Sequence, residues 1–232
     1  QTAPAVGRLQ GSNNGGYDAL QRLPHLRTVM YPTLNSLGQT TLALEHQGKA
    51  AGDMYIENVR FSRGPVVFVG LNVPESNNTV ILSAKECTNK SARKQEQCDA
   101  SNAEYIERDA ANIAWLTQSF QKAKDTQARG VVIVFQGDPG FDWPESEDSD
   151  ESKLPEFSGY RNFMAQVEQQ TAGFAGQVLL VHGDTHFFKI DKPLYSPTRV
   201  LPNFTRLQTF GSPSLHWVKV TVNPAAEQLF II

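Results

Sequence analysis

The residues of this chain best suited to chemistry follow two short apolar runs. VVIVF, 131–135, leads into Gln136, Gly137, Asp138 and Pro139, and VLLV, 178–181, leads into His182, Gly183, Asp184, Thr185 and His186. Runs of this kind read as buried strands. In open α/β sheets, ligands bind beyond the carboxyl ends of such strands. Gly183 permits a sharp turn, which predicts that Asp184 and His186 face one crevice. A carboxylate and an imidazole two residues apart form a pair of metal ligands. The competing reading is a turn in which Asp184 caps the backbone and His186 is a part-buried ring. His182 and His186 have the H-x-x-x-H spacing of a helical zinc site. A preceding strand, the intervening Gly183 and the lack of a glutamate base exclude that reading. The chain has no G-x-S-x-G, no G-x-x-x-x-G-K-[ST] and no G-x-G-x-x-G, so serine hydrolase, P-loop and Rossmann chemistry have no motif support.

These residues sit in a 232-residue chain of ordinary globular composition, 40% apolar and 19% charged, long enough to fold as one domain over 1–232 without staples. The net charge is −3. Glu145, Glu147, Asp148, Asp150 and Glu151 crowd one loop, 137–157; setting those five aside leaves 19 acidic residues against 21 basic ones. Such a balance argues against a nucleic-acid partner, which needs a basic stripe. ESEDSDES lacks the frame and the closing glutamate of a calcium loop and reads as a solvated tract. No apolar run reaches the length of a membrane span, and QTAPAVG has neither the basic nor the apolar region of a signal peptide. Cys87 and Cys98, in a polar insertion over 84–102, are spaced to close a disulfide, which implies an oxidising compartment; the alternative is two free surface thiols.

The positioning elements follow from periodicity. Residues 1–16 read as an irregular lead-in. Leu20, Leu23, Leu26 and Met30 have helical spacing, with Pro24 ending one helix before another turn. TLALEHQ and DMYIENVRFSRG alternate as antiparallel strands do. PVVFVGLNV, 65–73, reads as a strand covered on both faces, with TVILS, 79–83, pairing beside it. NAEYIERDAANIAWLTQSFQKAKD predicts a long helix with Ile106, Ala110, Ile113, Leu116, Phe120 and Ala123 on its apolar face. A second helix, SGYRNFMAQVEQQTAGF, ends at Gly173. RLQTF, HWVKVTV and QLFII return to strands, which places His216 on a strand, as packing or supporting a ligand rather than binding metal itself. His25 and His46 read as surface residues, and Asp138 and Asp142 lie close enough to the crevice to contact a ligand. The order strand, helix, strand, helix, strand gives an α/β class with a mixed sheet.

NIAWLTQSFQKAKDTQARGVVIVFQGDPGFD followed by VLLVHGDTHFFKIDKPL resembles the C-terminal portion of the calcineurin-like metallophosphoesterase superfamily. GGYDALQRL, SLGQTTLALE, ENVRFSRGPVVFVGLNVPESNN and NFTRLQTFGSPSLHWVKVTV are similar to a secreted, largely uncharacterised bacterial group within it. The resemblance implies an α/β/β/α sandwich with mixed sheets and a two-metal site that hydrolyses phosphate esters with a metal-bound hydroxide. It implies that His186 matches the last histidine of a G-H-x-H motif, that Asp184 stands in place of the other, and that Gln136 stands where a middle strand carries a histidine. It also implies divalent metal (Mn, Fe, Zn or Ca), a phosphate-ester substrate and a secreted or periplasmic location. The superfamily's D-x-H, G-D and G-N-H-[DE] motifs are absent upstream of Gly15, where only Asn13 and Asn14 offer side-chain amides. The expected centre is therefore incomplete. Either an N-terminal segment or second chain completes it, or the chain is a non-catalytic binding or assembly module on the same scaffold. His182, Asp138 and His216 are the expected supporting or substrate-contacting groups.

Overall fold

The structure is a computed structural model describing residues 19–91, 93–141, 151–195 and 199–232. Seven strands form one mixed sheet. They are β1 (Glu45–His46), β2 (Val59–Arg63), β3 (Val66–Gly70), β4 (Gly130–Val134), β5 (Gln177–His182), β6 (Lys189–Asp191) and β7 (Phe204–Gln208). Their order is β1-β2-β3-β4-β5-β7-β6. β3, β4, β5 and β7 run parallel, and β1, β2 and β6 are antiparallel additions at the two sides. A separate antiparallel ladder joins β8 (Thr221–Val222) to β9 (Phe230–Ile231). The helices are α1 (Ala19–Met30), α2 (Glu75–Asn78), α3 (Ala84–Ser91), α4 (Gln95–Asp125) and α5 (Arg161–Ala172).

Alternation along each strand splits the core in two. On one face Val67, Val69, Val131, Ile133, Val178, Leu180 and Phe204 pack against Trp115, Leu116 and Phe120 of α4 and Phe163 and Val167 of α5. On the other, Val66, Val132, Leu179 and Leu207 pack against Leu229 and Phe230, with Val218, Val220 and Val222 part-buried beside them. This second cover stops short: Val134, in a central strand, is 42% exposed. The α/β class and mixed sheet read from the sequence are those observed.

Several element expectations are corrected. Pro24 sits inside α1 instead of ending it. Residues 79–83 form no strand; β3 pairs with β2 and β4. The polar stretch 84–102 is largely helical, because α3 occupies its start and α4 begins at Gln95. The disulfide Cys87–Cys98 forms between these two helices, with Cα atoms 6.0 Å apart. Closing so short a loop removes about 3 kcal/mol of unfolded-chain entropy. Ile106 is 65% exposed, whereas Arg108, Asp109 and Asn112 are buried. The start of α4 thus turns a polar face inward, which apolar periodicity cannot reveal. β6 was not anticipated, and of HWVKVTV only Thr221 and Val222 pair. His46 is a structural residue, its ring between the carbonyls of Ile56 (2.6 Å) and Leu34 (3.1 Å).

Arg108 explains one inward polar face. Its side chain, 2% exposed, donates to the carbonyls of Asn72 (3.2 Å) and Asn78 (3.0 Å), to Thr79 Oγ1 (2.8 Å), to Asn78 Oδ1 and to Glu104 (2.8 Å). These bonds fix the segment after β3 at the end of α2, where Asn77, Asn78 and Thr79 hold φ of 55°, 52° and 70°. Three successive non-glycine residues in the left-handed region are costly unless their surroundings over-determine them.

Candidate functional site

Because β3, β4, β5 and β7 are parallel, the loops after them gather at one edge of the sheet. Main-chain bonds join three of them. Val73 O accepts from Gln136 N (3.2 Å) and Gly137 N (3.0 Å), and Gln136 O accepts from Gly183 N (3.2 Å). His182 O accepts from Thr209 N (2.9 Å), bringing in the loop after β7. The approach after β4 requires glycine: a Cβ on Gly137 would lie 2.6 Å from Pro74 O and 2.7 Å from Tyr160 Oη.

Asp184 and His186 both lie on the turn after β5, at this edge. The sharp backbone is theirs, at φ 80° and 69°, and Gly183 has no left-handed φ. The turn is held from outside. Asp184 Oδ2 accepts from Asp138 N at 3.0 Å, which is the backbone-binding role of the competing reading. His186 Nδ1 lies 2.7 Å from Ser212 O. A carbonyl only accepts, so Nδ1 carries a proton, and in a neutral ring the lone pair then lies on Nε2. Carbonyl-held tautomers of this kind are typical of ligating histidines. The other carboxylate oxygen of Asp184 makes no hydrogen bond among the described residues. Gln136 lies against Gly183, where an added Cβ would be 3.4 Å from its Nε2. Asp184, His186 and Gln136 therefore stand on adjoining turns.

The remaining expected site residues divide. Asp138 is buried and its Oδ1 accepts from Gly140 N (3.0 Å), so it braces its own loop. His182 is 2% exposed and lies beside the rings of Phe135 and Phe141, on the helix-covered face of the sheet. His216 is on no strand; it is exposed against Phe210 (4.8 Å), which stacks on Phe188. Asp142 lies outside the described residues, as do Asn13, Asn14 and most of the acidic run. A cavity of about 410 Å3 between Phe141, Phe157, Met164 and Leu194 does not include Asp184 or His186.

Sequence reasoning missed the groups that set His186. Gly211 and Ser212 follow β7 in the run Gly-Ser-Pro-Ser, a turn signal adjacent to a strand end. An added Cβ on Gly211 would stand 2.2 Å from His186 Cδ2. We expect Gly211→Ala to displace the imidazole, break its bond to Ser212 and cost about 1–3 kcal/mol of stability. Loss of the His186 Nδ1–H signal in 15N-correlated NMR checks this. Gly183→Ala, whose Cβ meets nothing closer than 3.4 Å, serves as the control that keeps the signal.

Asp184 and His186 supply two strong donor atoms, and Gln136 a neutral amide. Zinc sites use three or four protein ligands, and two-metal centres more. No group of three His, Cys, Asp or Glu side chains able to hold a metal occurs among the described residues. This donor set does not by itself fit a two-metal centre. No family model matches the chain, and no curated protein matches it. No helix among the described residues is long and apolar enough to cross a membrane.

Proposed function

We propose that this chain is a metallophosphoesterase-like scaffold carrying part of a metal centre, and that alone it has little or no phosphoesterase activity. One observation carries the reading. At the carboxyl edge of the parallel strands, two metal-ligand residue types are held in left-handed backbone by Asp138 N and Ser212 O, and the bond to Ser212 uses His186 Nδ1, not Nε2. Backbone strain of this kind concentrates at functional sites. The sequence resemblance and the α/β fold support the scaffold. The disulfide supports a secreted or periplasmic location.

The second reading is a binding or assembly module that keeps the scaffold without the reaction. The incomplete donor set and the part-covered sheet face favour it.

Titration with Zn2+ or Mn2+, followed by NMR, distinguishes the two. The first reading expects Asp184 and His186 signals to respond to sub-millimolar metal and the response to vanish in His186→Ala. No response removes the metal centre and leaves the module. Stoichiometric metal in the purified chain, together with hydrolysis of an aryl phosphate lost in His186→Ala, overturns the claim of incompleteness.

A further inference from the structure

The turn 183–186 is gripped at each of its four residues. Gly183 N donates to Gln136 O (3.2 Å), Asp184 Oδ2 accepts from Asp138 N (3.0 Å), Thr185 Oγ1 accepts from Gln208 Nε2, and His186 Nδ1 lies 2.7 Å from Ser212 O. Three of these partners are main-chain atoms of loops, whereas Gln208 holds Thr185 with a side chain from the core. Gln208 ends β7 and is 1% exposed. Strand alternation puts its side chain on the helix-covered face, in one row with Phe204 and Arg206 and beside His182, its partner in the pairing with β5. An apolar residue would complete that row. The amide is instead buried with its Oε1 accepting no hydrogen bond among the described residues, an arrangement that costs stability. Thr185, the residue it holds, stands between the two left-handed residues, Asp184 at φ 80° and His186 at φ 69°.

We propose that Gln208 is a positioning residue for this turn: its bond to Thr185 holds the flanking Asp184 and His186 in the arrangement that presents both to one divalent cation. The cation rests on the reading of Asp184 and His186 as metal ligands; the hold on the turn does not. Two non-glycine residues in the left-handed region persist only where their surroundings over-determine them. Thr185 is the residue common to both strained links. Once it is released, Asp184 is free to leave Asp138 N and His186 to leave Ser212 O. The fold itself loses little by that release. Thr185 is exposed, so water satisfies its hydroxyl, and an unbranched apolar side chain at 208 removes the unpaired Oε1. A buried polar group that weakens the core while it steadies a turn of ligand residues fits the trade of stability against function seen at active sites.

The test compares Gln208→Met with the parent in the full chain. The urea midpoint is expected to stay the same or rise. Exchange of the Asp138 amide, which donates to Asp184, is expected to speed by about tenfold relative to amides of α4, and the His186 Nδ1–H signal to be lost. Thr185→Val is expected to reproduce both changes, and Thr185→Ser, which keeps the hydroxyl, to show neither. Titration with Zn2+ then reads the consequence, an apparent Kd raised by about tenfold in Gln208→Met. The proposal is overturned if exchange in α4 speeds as much as at Asp138, the result for an amide that only supports the core. It is also overturned if Asp138 and His186 keep their protons protected in Gln208→Met or in Thr185→Val. If Zn2+ shifts no signal of the parent while both protons respond as expected, the metal reading falls and the positioning role stands.

Discussion

Replacing Arg108 with alanine is expected to lower the stability of the fold by about 3–5 kcal/mol, the range for breaking a buried charged network by removing one partner. Arg108 is 1% exposed, and its guanidinium serves five acceptors. Alanine leaves Asn78 O, Asn78 Oδ1 and Thr79 Oγ1 without their donor. Asn78 and Thr79 are themselves buried, so water replaces the donor poorly. The left-handed run from Asn77 to Thr79 then loses what holds it. That run is also tied to the segment before α5, because Asn77 Oδ1 accepts from Gly159 N (2.7 Å) and Asn78 Nδ2 donates to Gly159 O (2.9 Å). Urea unfolding with the disulfide intact measures the change. Arg108→Lys keeps the charge but loses the planar fork and is expected to recover less than half of the loss. A loss below 1 kcal/mol for the alanine variant means that the loop is held by Gly159 instead.

Asp109, one residue further on, predicts the opposite sign. It is 4% exposed, and its Oδ1 has no hydrogen-bond partner. Burial pushes its carboxyl up from 3.8 to about 6, against the smaller opposing effects of Arg108 and a hydrogen bond with Asn162. A carboxyl that is harder to ionise in the fold than in the unfolded chain stabilises the fold when protonated. That contribution is complete below about pH 4 and is lost as the pH rises through about 6. Two pH units correspond to about 3 kcal/mol as an upper figure. We therefore expect Asp109→Asn to stabilise the fold by about 1–3 kcal/mol at pH 7 and to change it little at pH 4. Thermal or urea unfolding across pH 4–8 reads both. A variant less stable than the parent at pH 7 shows that the charged carboxylate has a partner worth more than its desolvation.

The parallel core was legible from composition of short segments. VVIVF and VLLV are apolar and bounded by glycine, and they became β4 and β5 within a residue or two. Their carboxyl ends placed Asp184 and His186 correctly at one edge, since that depends on strand direction alone. What failed was whatever depends on polar residues turned inward. Arg108 and Asp109 carry no hydrophobic signal, so the buried face of α4 was misjudged toward Ile106. The setting of His186 depends on Ser212, 26 residues away, and on the space left by Gly211. No local pattern encodes such a contact. HWVKVTV had the right alternation for a strand, but a strand also needs a neighbour, and propensity does not supply one.

The spacing of β3 and β4 along the chain bears on how the protein is made. β2 and β3 are adjacent in sequence and can pair early, but β3 meets β4 only at Gly130, opposite Val66. At ribosomal rates of roughly 5–20 residues per second, the stretch between them, which holds α2, α3 and α4, takes on the order of 3–12 s to emerge. For that interval the valine-rich edge of β3 that pairs with β4 has no strand on it and is open to aggregation. Its protection falls to the hairpin partner β2, whose Arg60 and Arg63 flank it with charge, and to whatever chaperone attends the exit tunnel.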